Sequence, residues 1–257
     1  MGWKEYIFNE FVDINPHIPL KAGNEYSFVE MKDLNESKRF VYPSAIRKLT
    51  GGARFENGDT LFARITPCLE NGKICQVIGL KDNVGFGSTE FLVFRGKEGI
   101  SVNDFVFYLS RYDEVRNFGV QHMSGTSGRQ RVNKEAFSNL FLELPSLDEQ
   151  IGIVEFLSLL DDKIELNNRL NLTLEKFAIA FFKHWFIDFE FPDGADKPYS
   201  SSGGRMVDSE IGQIPLGWVV KNIGELIKFS IGGDWGNDEY SDLSSQKVRI
   251  IRGTDFG

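Results

Sequence analysis

The run Ser124-Gly125-Thr126-Ser127-Gly128-Arg129-Gln130-Arg131 gathers the side chains of this sequence best suited to grip a nucleic acid. Hydroxyls reach phosphate oxygens, Arg pairs bidentately with guanine O6 and N7, and Gln does the same with adenine N6 and N7. A second polar loop leaves the strand-like run Phe62–Ile65 and carries Arg64, Thr66, Asn71 and Lys73 around Pro67 and Gly72. With Ser88 and Thr89 these form the candidate DNA-reading set: Arg64, Thr66, Asn71, Lys73, Ser88, Thr89, Ser124, Thr126, Ser127, Arg129, Gln130 and Arg131. Loops of Gly, Ser and Arg serve many purposes, so composition alone does not assign either one.

Catalysis is poorly provided for. The sequence has no Gly-x-Gly-x-x-Gly cofactor turn, no Gly-Lys-Ser/Thr phosphate loop and no Asn/Asp-Pro-Pro-Tyr/Phe of an amino-methyltransferase. Gly125 to Arg129 has the glycines of a phosphate cradle without its lysine. A nuclease reading of Glu70-Asn71-Gly72-Lys73, with Asp59 upstream, fails because Asn71 stands where an acid is needed. Cys68 and Cys75, with three scattered His, make a poor zinc set. The expectation is a chain with no catalytic residue, metal or cofactor of its own.

The net charge of −8 is unevenly placed. Residues 1–145 hold 18 Lys+Arg and 18 Asp+Glu, so all the excess acidity lies beyond them. Residues 37–55 contain Lys38, Arg39, Arg47, Lys48 and Arg54 and no acid. Local patches, rather than the total, decide where phosphates dock. No apolar run reaches membrane-spanning length and Met1-Gly2-Trp3-Lys4-Glu5 lacks a signal-peptide pattern, which predicts a cytoplasmic protein.

The elements that position these loops follow from hydrophobic pattern. Strand-like runs at Tyr26–Met31, Thr60–Ile65, Lys73–Ile78 and Glu90–Phe94 alternate with turns. Helical spacing covers Asn103–Asn117, with Phe105, Leu109 and Tyr112 on one face, and Lys134–Leu140. Residues 1–145 are therefore an α+β domain. Ser146 and Glu149 then have the spacing of a capping box, and residues 153–191 contain neither Gly nor Pro. Ile153, Leu157, Leu160, Ile164, Asn167, Asn171, Leu174, Ala178, Phe181 and Trp185 recur at 3-4 spacing, predicting a spacer helix over 146–191 with a seam for another helix. At 1.5 Å per residue its stretch of some forty residues without Gly or Pro is roughly 55–60 Å long, more than a small domain is wide. Asn167 and Asn171 either lie on the wet edge of that seam or pair across a dyad.

A turn-rich linker over 192–213 precedes a second start. Gly2-Trp3, Phe8, Glu10, Phe11 and Val12 match Gly217-Trp218, Ile223, Glu225, Leu226 and Ile227 at an offset of 215. Phe28–Asp33 resembles Ile250–Asp255 at a slightly larger offset. Residues 214–257 thus read as the start of an incomplete second copy of the domain.

The order of these features resembles the specificity subunit of a type I restriction-modification system. Leu144-Pro145-Ser146-Leu147-Asp148-Glu149-Gln150 opens the helix, Phe181-Phe182-Lys183-His184-Trp185-Phe186-Ile187-Asp188-Phe189 closes it, and Ile214-Pro215-Leu216-Gly217-Trp218 restarts a domain. The phrases Asp59–Arg64, Ser88–Phe91 and Ser124–Val132 are also similar to that family's target recognition domains. The resemblance implies a non-catalytic subunit that reads one half of a bipartite site on double-stranded DNA through each of two domains. It implies antiparallel spacer helices serving as a ruler, and modification subunits that methylate adenine with S-adenosylmethionine. A restriction subunit using ATP and Mg is a further partner. With one complete domain–helix unit, the helix is expected to pair with a second copy, burying Leu157, Leu160, Ile164, Leu174 and Phe181 in a homodimer. The competing expectation is a coiled-coil adaptor whose head binds protein.

Overall fold

A computed structural model describes residues 2–126 and 128–227. The chain divides into two compact units, Met1–Thr173 and Leu174–Gly257. The second copy's match at Ile250–Asp255 lies outside the described residues.

The first unit opens with β1 (Lys4–Ile7), α1 (Phe8–Phe11), β2 (Val12–Ile14) and β3 (Glu25–Val29). Next come β4 (Phe40–Val41), β5 (Ala45–Lys48), β6 (Ala53–Glu56), β7 (Thr60–Ala63), β8 (Ile74–Val77), β9 (Val84–Gly87) and β10 (Phe91–Gly96). Helices α2 (Asn103–Arg111) and α3 (Asp113–Gln121), strands β11 (Met123–Ser124), β12 (Arg131–Val132) and β13 (Phe141–Leu144), and the long helix α4 (Leu147–Phe182) follow. The architecture is α+β, with a long helix after the head.

Two open sheets frame the head. One has the order β2-β10-β7-β8-β4, the other β5-β3-β9-β6 with β3 and β9 parallel. Every residue of β7 and β8 is buried, Thr60 and Gln76 included, so both faces of these strands are covered. Phe8, Phe62, Phe94 and Phe137 form the centre of one core, with Phe8 and Phe94 centroids 5.3 Å apart. Gly87 lets β9 lie close to β3, because a Cβ there would sit 2.4 Å from the Val29 carbonyl oxygen.

The helical stretch expected over Asn103–Asn117 is two helices. Tyr112, extended at ψ 135°, breaks it, and Asp113 and Glu114 occupy the first turn of α3. Acids there suit the unpaired N–H groups of a new helix start. Tyr112 is consequently exposed rather than on the packed face with Phe105 and Leu109. Lys134–Asn139 is a 3₁₀ helix.

The start of α4 is bolted to the head. Only half of the expected capping box forms: the Ser146 N–H donates to Glu149 Oε2 at 3.0 Å, but the Ser146 hydroxyl donates to that same carboxylate. Gln150, fully buried, donates from Nε2 to the Ile100 and Pro145 carbonyls and accepts the Val102 N–H at Oε1. Ile153 and Val154 pack against the core, and Leu157, half-buried, faces Phe105, Tyr108 and Leu109.

This placement corrects the expected seam. Leu157 is half-buried and lines a groove with Phe105 and Leu109, so the head covers part of it. The exposed apolar row is Phe156, Leu159, Leu166, Leu170, Leu174, Phe177 and Phe181, with Leu160 and Ile164 on its flank. A 3.6-residue turn rotates any strict 3-4 pattern slowly around the helix, and contact with the head fixes which stripe is left outward.

In the second unit α4 ends in a π-helical turn, Lys183–Ile187, where Trp185 packs edge-on against Phe181 at 5.3 Å. Phe191 stacks on Tyr199 at 4.7 Å and on Trp218 at 5.6 Å. The expected linker contains structure: β14 (Met206–Ser209) and β15 (Gly212–Pro215) form a hairpin. Helix α5 (Ile223–Leu226) falls where α1 does, displaced by the offset of the repeat. Val219–Asn222, the counterpart of β1, is not a strand. In the head β1 pairs with β13, and no described residue offers Val219–Asn222 such an edge.

Candidate nucleic-acid interface

The two polar loops, far apart in sequence, are joined in space. The Thr66 N–H donates to the Gln130 carbonyl at 3.0 Å and the Gln130 N–H to Thr66 Oγ1 at 3.2 Å. Ile65 bridges Arg131, and the Val132 N–H donates to the Arg64 carbonyl at 2.9 Å. Buried β7 thus carries the first loop, and the β11–β12 hairpin is stitched onto it. Gly125 and Gly128 have positive φ, which lets the hairpin turn tightly enough for this contact.

Within the pair, the arginines have different tasks. Arg131 directs Nε and Nη2 onto the Glu90 carboxylate at 2.7–3.0 Å and Nη1 to the Arg129 carbonyl at 3.1 Å. The Glu90 hydrogen bonds raise its pKa further above the ordinary arginine value. Arg131, expected to read bases, is thus engaged within the chain by Glu90 and the Arg129 carbonyl. Arg64 donates from Nη2 to Asn133 Oδ1 at 2.6 Å, while its buried Nε has no partner in the structure. Arg129 is exposed, and among the described residues its side chain has no hydrogen-bond or ion-pair partner.

Thr89 and Arg64 line a cleft with Asn15, His17, Gly52 and Arg54. Ser88 turns inward instead, its Oγ accepting the Glu90 N–H at 3.1 Å. Ser124 and Thr126 are exposed on the hairpin, whereas the Lys73 ammonium donates to the Met31 carbonyl at 3.2 Å and Asn71 closes its own turn onto Pro67. Ser127 lies outside the described residues. His17 and Asn15 were not singled out by sequence, because nothing in their local spacing marks them, and Glu90 stood in the Ser88–Phe91 phrase with no role assigned to it. Arg54, by contrast, already stood out in the acid-free stretch.

That stretch is less available than its charge suggests. Arg39 is buried, donating to Gln76 Oε1 from Nε and Nη2 and pairing with Asp104 at 2.9 Å. Arg47 pairs with Glu30 at 2.6 Å over the Phe28 ring. Lys38 and Lys48 remain as exposed cations. Asp59 belongs to an internal ion pair with Arg95, which removes it as a metal ligand.

If Arg131 braces the hairpin, Glu90→Ala should speed amide hydrogen exchange at Gln130 and Val132 while the melting of the head stays nearly unchanged. Unaltered exchange at both amides would show that the brace does not hold the loop.

Residues 2–176 match the family model of the type I restriction modification DNA specificity domain. The chain belongs to this family. It is 31% identical over 214 residues to the HindI specificity subunit of Haemophilus influenzae, covering 81% of this chain and 46% of that protein. To the MjaIX specificity subunit of Methanocaldococcus jannaschii it is 26% identical, covering 90% of this chain and 51% of the relative. The crystal structure of an HsdS subunit from Thermoanaerobacter tengcongensis superposes with a TM-score of 0.49 at 23% identity, over 80% of this chain and 53% of that one. The chain thus spans about half the length of the curated relatives it matches. The stitched loops and their projecting Arg129 lie within the specificity domain.

Proposed function

We propose that this chain reads one half-site of a bipartite sequence on double-stranded DNA and directs a type I adenine methyltransferase complex, with or without a restriction subunit, to it. The observation that carries the reading is Arg129, unpaired and exposed on a hairpin that Arg131 and Glu90 hold in place, beside Gln130 and the Arg64–Thr89 cleft. A base-reading arginine gains specificity when its loop is ordered before contact. On this reading S-adenosylmethionine belongs to the modification subunit, and ATP with Mg to the restriction subunit, while this chain performs no chemistry. The outward row on α4 is the surface for a second copy, giving a dyad-related pair of heads.

Arg129→Ala is expected to weaken specific binding by about 1–3 kcal/mol and relax one base position. Lys48→Ala should instead lower the salt slope of binding by about one and leave the sequence unchanged. The measurements are DNA affinity of the assembled complex at several salt concentrations and the methylated motif in cells. An unchanged motif and affinity in Arg129→Ala would remove the hairpin from the interface.

A further inference from the structure

The first unit grips α4 at a second point beyond Gln150. Tyr108 on α2 donates its hydroxyl proton to Asp161 Oδ2 at 2.6 Å and accepts a hydrogen bond from Arg39 Nη1 at 3.2 Å. Arg39 is in turn fixed by Gln76 and Asp104, and its guanidinium lies 4.7 Å from the centroid of Phe40 and 5.3 Å from that of Tyr108. Gln76 Nε2 closes the network on Asp104 at 2.7 Å and on the Gly58 carbonyl at 3.1 Å. Burial, then the Asp161 carboxylate, push the Tyr108 pKa upward, so the hydroxyl keeps the proton it donates.

Gln150 and Asp161 are three turns apart on the same face of α4, about 16 Å along its axis. Between them Ile153 and Val154 pack against the core of the head, and such contacts resist separation but not sliding, because hydrophobic contact is non-directional. One polar anchor at Gln150 leaves a pivot. A second, built on a buried arginine, removes it.

We infer that the Arg39–Tyr108–Asp161 contact sets the angle between head and helix, and through it the number of base pairs between the half-sites that the complex accepts. The inference rests on the half-site reading above. The geometry is sensitive at the right scale: in a head with a radius of about 15 Å, a swing of about 15° moves the reading loops by about 4 Å, close to one base-pair step. Tyr108 and Asp161 are positioning residues and touch no base in this scheme.

The experiment expresses the full chain with its adenine methyltransferase in cells and maps methylated adenines for wild type, Tyr108→Phe, Asp161→Ala and Asp161→Asn. Tyr108→Phe keeps the ring and Asp161→Ala lies on the helix, so the head core is intact in both. The expected result is an unchanged half-site with a gap that spreads from one length to its neighbours in the first two variants. Asp161→Asn keeps an acceptor for Tyr108 and should restore the single gap. Retention of one gap length by both Tyr108→Phe and Asp161→Ala would overturn the inference, and so would loss of all methylation in both, since a loosened head still reads its half-site. A wild-type chain that directs no motif would instead overturn the half-site reading and this inference with it.

Discussion

Replacing Asp59 by alanine is expected to destabilise the head by about 3 kcal/mol, at the lower end of the range for breaking a buried ion pair. Asp59 sits at the entrance of β7 with a side chain 1% exposed. Its Oδ1 accepts from Arg95 Nε at 2.6 Å, and Oδ2 from Arg95 Nη2 and the Glu56 N–H, both at 2.7 Å. Burial pushes the Asp59 pKa up, while the Arg95 and Glu56 hydrogen bonds pull against it. Without the carboxylate, Arg95 keeps one weaker contact, Glu56 at 3.1 Å, and the Glu56 N–H has no acceptor in the turn. The Arg95 side chain is 23% exposed, so water recovers part of its solvation and the loss stays near the low end. For a unit of this size the melting temperature should fall by about 6–12 °C, measured by calorimetry. A fall below about 2 °C would mean the pair contributes no more than an exposed one.

This pair also shows what the sequence hides. The strands around it were legible: Thr60–Ile65 and Glu90–Phe94 stand out as apolar runs and became β7 and β10 within two residues at either end. Their pairing was not, since a 30-residue separation leaves no trace in local spacing. The same limit governed the interface. Both polar loops were visible as composition, but that Arg131 is taken by Glu90 while Arg129 stays exposed depends on which residue the fold brings opposite each of them. Arg39 illustrates the error in the other direction. A basic run free of acids suggests a phosphate surface, whereas Asp104 and Gln76, distant in sequence, draw the side chain inside. Periodicity located α4 correctly but could not choose between two neighbouring apolar stripes, because only the head determines which one is covered.

That choice gives the second large effect. Leu166 and Leu170 are 60% and 52% exposed near the middle of the outward row. In an antiparallel pair of identical helices the middle of the row meets itself, so each contact is made twice, once from each copy. Leu166→Glu with Leu170→Glu would place four carboxylates at that crossing and remove burial worth roughly 1.5–3 kcal/mol per leucine. Dimer affinity should fall by at least about 1,000-fold, the equivalent of about 4 kcal/mol. Glu matches Leu closely in helix propensity, so the helix itself should survive, with unchanged circular dichroism. Leu157→Glu is the contrasting variant: facing Phe105 and Leu109, it should lower head stability and leave dimer affinity largely intact. Light scattering at micromolar concentration decides the matter. A monomeric wild type, or a dimer that survives the double substitution, would refute the two-fold arrangement. If the arrangement holds, the two heads present the same loops in opposite directions, and cells expressing this chain as the sole specificity subunit should methylate a palindromic motif with a central gap.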